Sequence, residues 1–153
     1  MSQYAWKAVF KFVPTDGIEE VMDLSEVFTD TGRPSSIDVS HVPDVTARID
    51  VNRRGNAKGW GFRPTAKLKF EIFSTERHAY LALIVNRLLA TDIWTVYLSL
   101  DGGLTYRQVE LTPKGYEGPD AIQGKTFVGA KYSLEVQGVD VLDQVPTLGT
   151  GVW

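Results

Sequence analysis

Two strictly alternating apolar segments constrain this chain more than any other feature. Val45, Ala47, Ile49 and Val51 share one parity, and so do Ala66, Leu68, Phe70 and Ile72. Each segment therefore reads as a strand with one buried face. Residues 52–65 between them hold Arg53, Arg54, Gly55, Lys58, Gly59, Trp60, Gly61, Phe62 and Arg63. That stretch is too long and too charged for a tight turn. Ordering it costs backbone entropy that no local core repays, and loops of this size inside compact domains are usually functional or disordered. The pattern predicts a long basic hairpin arm that seats itself on a partner.

At 153 residues with 43% hydrophobic content, one core of ordinary size can form, which favours a single domain. We read residues 1–140 as that domain, with a helix inserted at 75–90, and residues 141–153 as an extended tail. Cysteine is absent, so neither disulfides nor thiolate metal sites contribute, and the redox compartment is left open. The first thirteen residues alternate polar and apolar side chains, unlike a cleaved secretion signal. The richest apolar stretch, 79–90, is interrupted by Asn86 and Arg87 and falls short of the ~20 residues a membrane-spanning helix needs. A soluble protein is expected.

The net charge of −3 conceals an uneven distribution. Residues 16–50 carry nine acids (Asp16, Glu19, Glu20, Asp23, Glu26, Asp30, Asp38, Asp44 and Asp50) against Arg33 and Arg48. Arg53, Arg54, Lys58, Arg63, Lys67 and Lys69 then place six positive charges within seventeen residues, with no acid between Asp50 and Glu71. Complementary patches of this kind can align identical subunits head to tail. A solvated surface with segregated charges is the alternative, since exposed ion pairs contribute only ~0–1 kcal/mol each.

Along the chain, Trp6, Ala8, Phe10 and Phe12 alternate with Lys7, Val9 and Lys11, which predicts a first strand over residues 5–13 with an aromatic inner face. Residues 18–28 are ambiguous, since Ile18, Glu20, Met22 and Leu24 fit period two imperfectly while Val21, Leu24 and Phe28 fit a helix; the hairpin chemistry of Thr15, Asp16 and Gly17 favours a strand paired with the first. A loop follows at 29–36, then a short edge strand at 37–41. Tyr80, Leu81, Ile84, Val85, Leu88 and Leu89 recur at three and four residues, predicting a helix over 75–90 capped by Ser74 or Thr75. Residues 93–100 and 104–111 form a hairpin across Asp101, Gly102 and Gly103. A thirteen-residue loop spans 112–124. In the final long strand, Val128, Ala130, Tyr132, Leu134 and Val136 share a face. The tail ends in an exposed-looking Val152 and Trp153. The sum is a mainly β fold, an antiparallel β-sandwich or barrel of about seven strands with one flanking helix.

The sequence gives little sign of catalysis. His41 and His78 are the only imidazoles: His41 sits at a strand end, His78 in the first turns of the helix, and neither has a recognisable catalytic or ligand spacing. Metal ligation by an EF-hand loop is not indicated. Ser99, Asp101, Gly103, Thr105 and Tyr106 match an Asp-box pattern, which reads as turn chemistry with Asp101 accepting from turn N–H groups. The basic arm could contact nucleic acid, with Trp60 or Phe62 stacking on bases; the acidic surroundings argue against it. Aromatic and arginine side chains on a protruding loop are instead the types that dominate subunit interfaces.

Taken together, the strands, the arm at 52–65 and the helix at 75–90 resemble in layout a tailed-bacteriophage tail protein of the tail-tube or distal-tail type. The resemblance implies a structural virion protein of the tail, assembled in the host cytoplasm, with no enzymatic activity and no cofactor. It implies copies closing into a ring, a hexamer in that family, in contact with other tail proteins and with DNA passing through the lumen. The subunit-interface residues expected from the sequence are Arg53, Arg54, Lys58, Trp60, Phe62, Arg63 and Trp153. Two other readings remain: a carbohydrate-binding β-sandwich module using exposed Trp94, Tyr97, Tyr106 and Tyr116, and a small hydrolase on a barrel.

Overall fold

In a computed structural model of the protein, the described residues are 6–24, 36–43, 61–73, 75–118, 121–123, 126–144, 146 and 153. The strands are β1 (Val9–Pro14), β2 (Glu20–Asp23), β3 (Ser36–Pro43), β4 (Phe62–Ile72), β5 (Trp94–Ser99), β6 (Arg107–Glu117), β7 (Ala121–Gln123) and β8 (Thr126–Gly138), and the helix α1 is Thr75–Leu89. All strand pairs are antiparallel, in the order β2-β1-β5-β6-β8-β4-β3, with β7 also paired to β8. This is the mainly β, one-helix architecture read from the sequence, with its strands joined in one sheet.

Register turns the alternating sequence into one apolar face. Phe10 and Phe12 lie opposite Leu98 and Val96, and Val96 opposite Val109. Leu111 meets Val136, and Val136 and Leu134 meet Ala66 and Leu68. Leu68 and Ala66 in turn meet Ile37 and Val39 on the edge strand. Opposite residues of an antiparallel pair share a face, so the apolar stripe runs from β1 to β3. Helix α1 lies on it through Leu81, Ile84, Val85 and Leu88, all buried in the same cluster. Each fully buried Leu, Ile or Phe contributes about 1.5–3 kcal/mol. The exposed Lys69–Asp38 ion pair, at 3.8 Å, belongs to a class worth about 0–1 kcal/mol. Apolar burial therefore holds the sheet together.

The helix is pinned at both ends. In its last turn Arg87 reaches Glu20 of β2 at 2.5 Å, and its guanidinium lies 4.9 Å from the Trp94 ring and 5.4 Å from that of Phe12. Near its start, His78 Nδ1 is hydrogen-bonded to the Tyr132 hydroxyl, and Tyr132 stacks on Tyr116 with ring centroids 5.7 Å apart. His78 is thus a partly buried anchor. Burial pushes the phenols of Tyr116 and Tyr132 up.

The Asp-box residues close the β5–β6 hairpin. Ser99 Oγ donates to Asp101 Oδ1 at 2.6 Å and accepts from Gly103 N–H at 2.9 Å. Leu104 and Thr105 N–H donate to the same carboxylate at 3.1 and 2.9 Å, and the Thr105 hydroxyl donates to its other oxygen. Gly102 and Gly103 hold φ of 79° and 97°, a region that side chains with a Cβ rarely enter. Burial raises the Asp101 pKa, but the hydrogen bonds from Ser99, Thr105 and Leu104 outweigh it and hold the carboxyl below its ordinary value.

Two expectations are corrected, and a third falls on residues 45–51, which lie outside the described residues; β4 is paired with β3 over residues 62–69 and with β8 over 65–72. The expected loop at 112–124 is largely strand. β6 continues to Glu117 across an irregularity, where the pairing Leu111↔Val136 becomes Tyr116↔Leu134. Three extra residues reverse the parity, so even-numbered Tyr116 takes the face that odd-numbered Leu111 held, and no simple period shows through. Finally, Lys67 and Lys69 do not form a basic patch, because Lys67 lies in register between Asp38 and Glu135.

Replacing Arg87 with Ala removes an ion pair and two ring contacts at the helix end. The expected loss is about 1–3 kcal/mol of unfolding free energy, read by urea denaturation, with a smaller loss for Glu20→Gln. A carboxyl with a depressed pKa stabilises the fold above its unfolded value and loses that contribution as pH falls through the folded one. The stability gap between wild type and Asp101→Asn is therefore expected to shrink below about pH 4, measured by thermal melts across pH 2–7.

Candidate functional site

The predicted arm is anchored where β3 ends and β4 begins. Pro43 lies opposite Phe62 in the ladder, so residues 44–61 leave and return at one point on the edge of the sheet. Of the expected interface residues, Arg53, Arg54, Lys58 and Trp60 lie outside the described residues. Phe62 and Arg63 belong to β4, which starts four residues earlier than its apolar alternation suggests. The sequence missed this because Phe62–Thr65 breaks the alternation with Pro64. A proline is tolerated here because pairing of β4 with β8 starts only at Thr65↔Gln137, leaving no ladder donor to lose on that side.

The chain leaving β8 braces this root. Phe62 N–H donates to Leu142 O and Leu142 N–H to Phe62 O, both at 2.8 Å. Arg63 Nη1 donates to Val139 O at 3.1 Å, and Val139 N–H donates to Gln108 O on β6 at 2.9 Å. Arg63, expected on the arm as a contact for another subunit, is therefore engaged by its own chain. Gly61 is packed so closely that a Cβ would lie 1.9 Å from Val141 Cγ1 and 3.0 Å from Leu142 O. Only a residue without a side chain fits, which gives the glycine next to Trp60 a packing reason.

Trp153 departs most from expectation. Expected to be exposed, it is 2% exposed and belongs to the hydrophobic core cluster. Its main-chain oxygen lies 2.9 Å from His41 Nε2, so Nε2 carries the proton and donates. Its ring lies 5.7 Å from the Arg107 guanidinium carbon. Arg107 is held beside Pro64 by Gly138, where an added Cβ would come within 2.6 Å of Pro64 and 2.9 Å of Arg107. Burial lowers the Arg107 pKa, with Asp140 opposing the shift. His41 precedes the root by two residues and Pro64 follows it by two, so Trp153 sits against the base of the arm.

The aromatic side chains that suggested glycan stacking are half-buried, and each has a ring face occupied. Arg87 lies over Trp94, Lys11 lies 4.9 Å from the Tyr97 ring and 4.3 Å from the Tyr106 ring, and Tyr132 stacks on Tyr116. Among the described residues no group of three or more His, Asp or Glu side chains is placed to hold a metal ion.

No family model matches the chain, and no curated protein does. Among solved structures, a chain in the 6-fold symmetrised cryo-EM structure of the anti-feeding prophage baseplate is similar over 92% of this chain and 94% of that one, at 11% identity and a TM-score of 0.34. At that identity and TM-score the likeness assigns neither fold nor role.

Gly61→Ala is expected to cost about 1–3 kcal/mol through overpacking against Val141. Val141→Ala in the same chain should recover part of that loss. Thermal denaturation of the two variants checks both, and equal losses would show that Val141 is not what restricts position 61.

Proposed function

We propose that this chain is a structural, non-enzymatic protein of a phage tail or tail-like particle, one that assembles with copies of itself into a ring and with other tail proteins around a passage for DNA. The tail assignment rests on the layout resemblance drawn from the sequence. The self-assembly reading is carried by one observation: a basic segment leaves and re-enters the sheet at the paired Pro43 and Phe62, braced by Leu142 and Val139. A fixed base lets a projecting segment dock with little further loss of freedom.

Charge indicates where it docks. Lys67 and Lys69 are interleaved with acids, so the unbalanced positive charge near this end belongs to Arg53, Arg54 and Lys58. The opposite end of the sheet is the β1–β2 hairpin, where Asp16 and Glu19 are exposed. Opposite signs at opposite ends favour a head-to-tail contact, which closes a ring when the rotation between copies allows. Trp60 supplies the aromatic anchor on the arm.

Arg53→Glu with Arg54→Glu is expected to abolish the oligomer in light scattering while circular dichroism stays native. Adding Asp16→Lys and Glu19→Lys to the same chain should restore assembly. An oligomer untouched by the first pair of substitutions would remove the arm from the interface.

A further inference from the structure

Helix α1 is apolar on both sides. Its inner face is the buried stripe of Leu81, Ile84, Val85 and Leu88. The solvent side of a surface helix ordinarily carries charge, yet no exposed residue between Glu76 and Asp92 is charged. Arg87, half-buried, is already engaged with Glu20 and two rings. Leu83 is 40% exposed, Leu89 63%, and Ile93, in the turn after the helix, 52%. None of these three side chains belongs to the hydrophobic core cluster. Contiguous exposed apolar surface of this kind marks an interaction site.

The residues on this face read almost alike in both directions from Asn86. Three positions before it is Leu83 and three after it Leu89; four before is Ala82 and four after Ala90; seven before is Ala79 and seven after Ile93. Positions three and four apart share a helix face, so these residues flank Asn86 on the solvent side. The helical pattern reaches Ala90, whose N–H donates to Asn86 O at 3.1 Å, and Ile93 N–H donates to Ala90 O at 3.0 Å, which keeps Ile93 one tight turn from the helix end. A two-fold contact requires a patch that complements itself, residue i meeting j and j meeting i. Laid antiparallel on a second copy, this face sets Leu83 on Leu89 of the other copy, Ala82 on Ala90, and Ala79 on Ile93. Asn86 meets Asn86 on the axis, where two amides can exchange hydrogen bonds and fix the register, as a lone polar residue does in a helix seam. Docking of an unrelated protein would call for no such symmetry.

We propose that the outer face of α1 is a two-fold docking surface for the same face of a second copy. This contact is separate from that of the arm and does not depend on it. Charge permits it: each chain carries a net −3, but the face sets uncharged side chains between the copies and leaves Glu76 and Asp92 at its ends. Area limits its strength. A strip roughly 20 Å long on a helix about 10 Å across buries on the order of 400 Å² per copy, about half of what each partner buries in a standard specific interface. The pair is therefore weak and reversible, forming where copies are concentrated.

The chain has no cysteine, so a single introduced thiol reads the axis. Asn86→Cys places two thiols across it, within the Cα separation of about 7 Å that a disulfide tolerates, whereas Ala79→Cys sets them about 20 Å apart. Under mild oxidation the first is expected to form a covalent dimer about ten times faster than the second, and equal rates would overturn the two-fold pairing. The unaltered face is tested by sedimentation equilibrium on the full chain carrying Arg53→Glu with Arg54→Glu, which removes the arm contact. Its mass is expected to rise from one chain toward two as the protein approaches millimolar concentration. Adding Leu83→Glu with Leu89→Glu, both at exposed positions, should cancel the rise while circular dichroism stays native. A mass that stays at one chain throughout overturns the α1 pair, assigns the face to a different protein and leaves the arm reading untouched. A rise that survives the two leucine substitutions overturns the pair as well.

Discussion

Slipping β8 past β4 by one residue would turn Leu134, Val136 and Tyr132 away from Leu68, Ala66 and Phe70, because side chains alternate faces along a strand. Eight consecutive register pairs join these two strands, and everything else is referred to them. β8 carries β6 on its other edge, and β4 carries β3, so the helix, the arm root and the seat of Trp153 all take their positions from this ladder. The alternation of Leu68, Phe70 and Ile72 against Tyr132, Leu134 and Val136 is what excludes the slipped alternatives.

Much of this was legible in the residues. The first strand, the short edge strand, the helix and the inward face of the last strand follow from period, while residues 18–28, ambiguous in period, are favoured as a strand by the turn before them, and 20–23 are one. Sequence reasoning failed where pairing is non-local. Nothing in residues 66–72 says which strands pair with them, and β4 takes β3 on one edge and β8 on the other. The three-residue irregularity in β6 hides Tyr116 from any periodic reading. Lys67 looks basic in sequence and is nearly neutralised in space by Asp38 and Glu135, which are distant along the chain.

The root of the arm was half visible. Glycine at 61 beside an aromatic residue signals a close approach, but only the fold shows that Val141 is what approaches. Trp153 misled, since a tryptophan after a glycine-rich stretch reads as exposed and the fold buries it in the core. Gly138 could have hinted at it: a glycine ending a long strand of apolar alternation leaves room for something large, and Arg107 and Pro64 fill that space.

The paired ends of the arm also set how the protein would bear mechanical load. Tension applied to residues 44–61 enters the sheet through Pro43 and Phe62 together and runs along the strand axes. Ladder hydrogen bonds in an antiparallel pair lie perpendicular to the strands, so such a pull shears the β4–β8 ladder across all its register pairs at once and does not peel it open one bond at a time. Detachment under force would then be a cooperative failure of the whole ladder.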